Sequence, residues 1–412
     1  MYHPNLLENI VEKILECQHE VILIKSDQLD ELKQAYKIDR NNYPFIYEMQ
    51  NNHYFFTLEN IKKWENLIEQ ISKKVFKDRF SLTYISTEIR KYFHTYYGAY
   101  SAENLTVFFN DLKNNASDLL FCIPLHGISL SNQELEIGPF SLKSRNKIKN
   151  EMKEISENSN IDMLVDMQIP NSNQVLLINR YQTDHEKALE INLNHTNRFV
   201  DILNWKFSQI TQPTNSIKYI VSIQAPTIEK INFFSLKNKE NISTHTKILS
   251  SRFPLDLNTI ENHLTNDEVI WLVRLIIDDK INDYQDAILK SIHWFSKFWC
   301  ETQSDNKLLY LAIALEALLS EAFATSSFVS DRVAFILGEN KETRIKLRNL
   351  TKQLYDLRSD IAHGNNINVV KEIDLNQLEK ITRNIIQYCL NNRENFQTLK
   401  EFKSFIDNKK YE

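Results

Sequence analysis

Arg358 and His363 lie within Tyr355–Gly364, Y-D-L-R-S-D-I-A-H-G, a decapeptide that joins a permanent cation, a titratable imidazole and one of only five glycines in the chain. A guanidinium is planar and always protonated, which suits it to phosphate oxygens or to a developing pentacoordinate phosphorane. An imidazole titrates near neutrality and can move protons. Together the two groups suffice for metal-free cleavage of RNA.

The element that must position them is a helix expected over Lys341–His363, with Gly364 as the residue that ends it. At about 100° per residue, Leu347, Leu350, Leu354, Leu357 and Ile361 gather into one stripe, the expected core face. Lys341, Arg344, Arg348, Lys352, Tyr355 and Ser359 form a second stripe on the opposite side. A solvated helix face is the default for such a stripe, and its coincidence with the motif makes RNA contact the competing expectation. Arg358 falls at the edge of the leucine stripe, which would lay its stem along the core with its head group towards the polar face. Five residues is about 140° of helical rotation, so Arg358 and His363 bracket the polar face and do not stack.

A second expected helix, Lys307–Ala324, is apolar nearly all round at Leu308–Leu319 and so belongs at the centre of a bundle. Glu316 is the odd residue in it. A buried ion pair between Glu316 and Arg332 is expected, with a direct catalytic role as the alternative. Tyr355 is a residue for base stacking or for the edge of the core. His293, Trp294 and Trp299 are expected to pack, with a dimer interface as one setting.

R-S-D-I-A-H-G, preceded by L-Y-D-L (Leu354–Leu357), by A-L-E-A-L-L (Ala314–Leu319) and by D-R-V-A (Asp331–Ala334), resembles the Apea-like branch of the HEPN superfamily over about Asp283–Asn391. Residues Asp118–Leu142 are similar to the N-terminal regions attached to such domains. The resemblance implies an all-helical bundle that forms a homodimer and brings two R-x4–6-H motifs into one ribonuclease site. It implies that Arg358 holds the scissile phosphate, that His363 assists the ribose 2′-hydroxyl or protonates the leaving 5′-oxygen, and that no metal or cofactor is needed. RNA is then the substrate, in an anti-phage, abortive-infection or toxin setting, with a phage-derived trigger or an antitoxin as a further partner. Where active members often carry Asn, Asp or His after the arginine, this chain has Ser359 and then Asp360, which leaves open how those two support the site. The competing expectation is a non-catalytic HEPN module that binds RNA or a partner, with Arg358 and His363 as a structural pair.

All eight prolines fall at or before Pro254, and the chain beyond that point reads as helix. The expected organisation is therefore an α+β sensor or regulatory region, 1–258, with a mixed, largely antiparallel sheet and flanking helices. An all-α domain, 259–412, completes the chain, and a subdivision of the first region near 115 is an option. Expected strands include Arg79–Ser86, Leu105–Asn110, Asp118–Leu130, Gln133–Leu142, Gln174–Gln182, Ile217–Ala225 and Lys230–Leu236, with a hairpin around Asn51-Asn52. Ser304, Ser330 and Asp374 stand where N-caps belong, and Gly338 where a helix-ending glycine belongs.

A net charge of -5 argues against a generally basic nucleic-acid coat protein, so any polyanion site must be local. Four scattered cysteines without a C-x-x-C pair suggest neither zinc nor a disulfide framework, and a reducing cytoplasm fits. No signal peptide is read at the N-terminus, and Glu316 and Glu321 make Leu308–Val329 a buried helix rather than a membrane span. P-loop, dinucleotide, H-E-x-x-H, G-x-S-x-G and kinase patterns are absent. The E-x-K tripeptide at Glu151–Lys153 is of a kind common in Lys/Glu-rich helices.

Overall fold

The computed structural model describes residues 3–411 apart from 20–21, 26–27, 29–44, 50–51, 97–98, 156–159, 170, 172–173, 211–218, 225–229, 238–240, 249–253, 279, 322–325 and 364–369. The architecture is mixed. Among the described residues, strands occur only before Leu257 and helices alone occur after it. Two compact units form, one from Met1–Leu120 with Arg180–Asn192 and the other from Phe121–Asn179 with Leu193–Glu412.

In the first unit, α1 (Pro4–His19) is followed by β1 (Ile22–Lys25), β2 (Phe45–Met49) and β3 (Asn52–Phe56). These strands make an antiparallel sheet of order β1-β3-β2; the expected hairpin forms, but with Asn52 already in β3 opposite Met49, one residue off the expected Asn51-Asn52 turn. Three helices come next: α2 (Leu58–Ile71), α3 (Leu82–Thr95) and α4 (Ala102–Asn114). The last two replace expected strands at Arg79–Ser86 and Leu105–Asn110. Both have a serine cap, Ser81 accepting from the Tyr84 N–H and Ser101 from that of Asn104. Both bury residues at helical spacing, Ile85, Ile89 and Tyr92 in one and Leu105, Phe109 and Leu112 in the other.

The chain continues with β4 (Asp118–Leu125), β5 (Ile128–Ser129), β6 (Glu134–Ile137), β7 (Phe140–Ser144), α5 (Arg145–Ile155), α6 (Ile161–Gln168), β8 (Val175–Gln182) and α7 (His185–Ile210), which belong to the second unit except for residues 118–120, 180–182 and 185–192. The four-stranded sheet has the order β4-β8-β7-β6. The β6–β7 hairpin turns at Gly138, whose φ of 59° is left-handed. Of the expected strand Ile217–Ala225, residues 219–224 are described and form only an isolated bridge, His126 to Ser222. Residues Lys230–Lys237 and Asn241–Ile248 are the paired strands β9 and β10. Leu255–Asp256 is β11, parallel to β5.

The later helices are α8 (Glu261–Leu264), α9 (Asp267–Ile277), α10 (Asp283–Cys300), α11 (Ser304–Leu319), α12 (Ser326–Leu337), α13 (Lys341–Ala362), α14 (Glu372–Asn391) and α15 (Leu399–Asn408). Helix α11 is central, burying Leu308, Leu311, Ala314, Leu315 and Leu318 and packing against α10, α12, α13 and α14. One apolar core runs from the sheet residues Leu135, Phe140 and Leu177, through Phe199 and Trp205 of α7, into this bundle. No described helix is long and apolar enough to cross a membrane.

The expected caps are only partly right. Gln303 and not Ser304 precedes α11, Ser330 is buried inside α12, and Asp374 is already in α14, where it accepts the Lys371 N–H at 3.2 Å. Reciprocal capping boxes form elsewhere: Asn282 with Gln285, Asn340 with Thr343, and Thr398 with Glu401. Gly338 does come directly after α12, but for lack of space: a Cβ there would stand 2.6 Å from the Ala334 carbonyl oxygen.

Candidate functional site

Helix α13 begins at the Asn340 cap, buries Leu354 and packs Leu350, Leu357 and Ile361 against the core; of the expected leucine stripe, Leu347 is half-buried and stays outside that core. Arg358 sits at the edge of that face with its side chain 34% exposed, one Nη2 lying 3.4 Å from Oε1 of Glu316 on α11. Its Nε is buried and has no hydrogen-bond partner among the described residues. The guanidinium is therefore held by one long ionic contact and keeps most of its donors for another acceptor.

Burial pushes the Glu316 carboxyl up from its ordinary value, and the Arg358 cation works against that shift. The expected partnership of Glu316 with Arg332 is not the one formed. Arg332 is buried and is engaged beyond Glu316, at the carbonyl end of α11: it donates through Nε and Nη2 to both Asp407 oxygens at 2.9 and 2.7 Å. Nη1 reaches the Leu319 carbonyl at 2.6 Å and Nη2 reaches Glu321 at 2.7 Å. Four of the five guanidinium N–H donors are engaged, tying α12 to α15 and to the carbonyl end of α11 and committing the buried cation to the fold.

Tyr355 belongs to the core and not to a stacking surface. It is buried, and its hydroxyl donates to the Ala312 carbonyl at 3.1 Å. Burial raises its phenol well above the ordinary value, with Glu316 adding to the shift and Arg358 opposing it. The basic stripe is divided. Arg344 donates to the carbonyls of Gly338 and Lys409, each at 3.2 Å, and Arg348 is paired with Asp331. Lys341 and Lys352 are exposed and have no ion-pair partner among the described residues. Both arginines line a cleft of about 890 Å³ whose wall also carries Phe328, Ile345 and Asp407.

His363 is exposed at the end of α13, its backbone N–H donating to the Ser359 carbonyl at 3.0 Å. Ser359 is half-buried and Asp360 exposed. Gly364, expected to end the helix in the left-handed conformation, lies outside the described residues. Arg358 and Glu316 are thus brought together, His363 stands one and a half turns further along the same helix, and Arg332 and Tyr355 serve the bundle. No group of three or more His, Cys, Asp or Glu side chains disposed to hold a metal ion occurs among the described residues.

The three aromatic residues expected to pack on α10 all do, the His293 ring meeting that of Trp294 edge to face at 5.4 Å. Trp299 is buried with Nε1 donating to the Tyr219 carbonyl at 2.9 Å, and the Trp294 ring lies 5.7 Å from that of Tyr310. His293 also places Nδ1 2.7 Å from Oδ2 of the buried Asp201 on α7. Nothing in the local pattern signals a partner 92 positions away. Comparison of the chain with protein-family models, curated proteins and solved structures gives no match.

Proposed function

We propose that this chain is a metal-independent endoribonuclease of the HEPN type, acting as a homodimeric anti-phage or toxin effector. The observation that carries the reading is Arg358. Its guanidinium is one-third exposed, lightly held by Glu316, and placed on the helix that ends at an exposed His363. Arg358 would bind the non-bridging oxygens of the scissile phosphate and stabilise the phosphorane charge. The ribose 2′-oxygen attacks phosphorus as its proton passes to a histidine base, and the P–O5′ bond breaks as the 5′-oxygen takes a proton from a histidine acid. Bonds and protons balance, giving a 2′,3′-cyclic phosphate and a 5′-hydroxyl. One His363 cannot start as both base and acid, and the helical rotation between Arg358 and His363 separates them. A second copy would supply the missing group, which makes dimerisation part of the mechanism. Residues 1–258 would sense the trigger or restrain the nuclease.

A non-catalytic module that binds RNA or a partner is the second reading, favoured by the same Arg358–Glu316 contact if it serves only to hold two helices together. Purified protein incubated with RNA in EDTA separates the readings. The wild type should cleave, Arg358→Ala and His363→Ala should not, and active protein should sediment as a dimer. Equal cleavage by all three proteins, strict metal dependence, or full activity of a monomer would sink the proposal.

A further inference from the structure

A cleft of about 850 Å³ opens between α7, α10 and the loop at 221–224, and none of the residues grouped around Arg358 lines it. Its centre is the Asp201–His293 pair. Asp201 is 7% exposed and, as a carboxylate, can only accept, so the proton between them sits on Nδ1 of His293. The ring is thereby fixed in orientation, and Nε2, on the exposed part of a side chain 40% accessible, is left for a ligand.

The charge of this cleft is opposite in sign to that of the chain. Arg198, Lys290 and Lys297 line it, with Asp201 as the one carboxylate among the lining residues, in a protein whose net charge is -5. Lys290 is paired with Asp286 at 2.5 Å. Arg198 and Lys297 have no side-chain partner among the described residues, and Arg198 is half-buried. A tether between two helices needs the Asp201–His293 bond alone; it gives no reason for two uncompensated cations beside it. The floor is preformed. Asn204 donates to the Val221 carbonyl at 3.1 Å and to Ser296 Oγ at 3.2 Å while accepting the Val221 N–H at 2.9 Å, which pins the loop to both helices.

We propose that this cleft binds a small phosphate-bearing ligand of the mononucleotide class. Arg198 and Lys297 meet the phosphate, and His293 Nε2 bonds a phosphate or ribose oxygen. The volume is far larger than an inorganic phosphate and within the range of small-molecule pockets. Leu193, Ile223 and Leu289 supply the apolar wall that a base requires. The proposal stands independently of the nuclease reading, and it gives such a chain a ligand-responsive site in the same compact unit as Arg358.

Titration calorimetry of the full chain with AMP, ATP, inorganic phosphate and a short single-stranded RNA tests it, using the Arg358→Ala/His363→Ala variant so that turnover cannot interfere. AMP or ATP should bind with one site per chain, and each of Arg198→Ala and Lys297→Ala should weaken that binding about tenfold or more. Arg198→Lys should recover part of the loss, and His293→Ala should weaken binding without changing the urea midpoint by more than the one lost tether. Cys300 is exposed and lines the cleft, its Sγ 3.6 Å from Nδ2 of Asn204, so bound nucleotide should slow its reaction with a thiol reagent. The proposal is overturned if neither nucleotide binds at millimolar concentration or if the Arg198→Ala/Lys297→Ala double variant binds as well as its parent. It is equally overturned if inorganic phosphate competes as tightly as AMP, or if RNA alone occupies the cleft.

Discussion

Arg358→Ala should separate catalysis from architecture, because the two roles of that residue differ in size. The contact with Glu316 is 3.4 Å long, and the two side chains are 34% and 28% exposed. Solvent screens such a pair, so its loss should cost roughly 0.5–1 kcal/mol. A domain stable by about 5–15 kcal/mol remains more than about 99% folded after that loss. Removal of a preorganised donor from a developing oxyanion costs about 100–1000-fold in rate, or about 3–4 kcal/mol. The assay is cleavage of end-labelled RNA in EDTA together with a urea titration of the same preparation. A rate loss of at least two orders of magnitude with an unchanged m value and a small shift in midpoint is expected. Arg358→Lys should fall between wild type and Ala, since it keeps the charge and loses the planar fork. A fall in activity no larger than the fall in folded fraction would refute the catalytic role of Arg358 and leave it as a helix tether.

Arg332→Met should destabilise the protein by about 3 kcal/mol, the low end for a broken buried pair, because Asp407 and Glu321 are about half exposed and can rehydrate; a urea midpoint within error of wild type would contradict this. Cys389 is buried and its thiol is pushed up to about 12, mainly by burial. At pH 8 it stays a thiol, so native protein should react with iodoacetamide first at exposed Cys300, and mass mapping should find Cys389 modified only after unfolding. Gly127→Ala should cost more than about 2 kcal/mol, because φ is 85° and an added Cβ would lie 1.9 Å from the Ile220 carbonyl oxygen. Thermal melting at or above the wild-type temperature would show that this loop can relax.

What the sequence made legible was whatever short-range spacing controls. The central position of Leu308–Leu319, the leucine face of Lys341–Ala362 from Leu350 onward and a hairpin within one residue of Asn51-Asn52 come from period and turn chemistry alone. The two strands misassigned in the first unit also carried a helical signal. Leu105, Phe109 and Leu112 recur at helical spacing behind Ser101, and this period with its cap prevails over the β-propensity of T-V-F-F. Glu316 shows where such reading ends. Its isolation in an apolar helix marked it as a residue needing a cation, and it has one. Choosing between Arg332 and Arg358 depended on which helix crosses α11 at that level. Arg332 lies near the carbonyl end of α11, where Leu319, Glu321 and Asp407 converge, so its charge is consumed there and Arg358 is left to Glu316. The same logic governs His293. Its partner Asp201 lies on α7, 92 positions away, so no window of sequence contains both. Long-range pairs of this kind decide which charges are spent on the fold, and Arg198, Lys297 and Arg358 keep most of theirs.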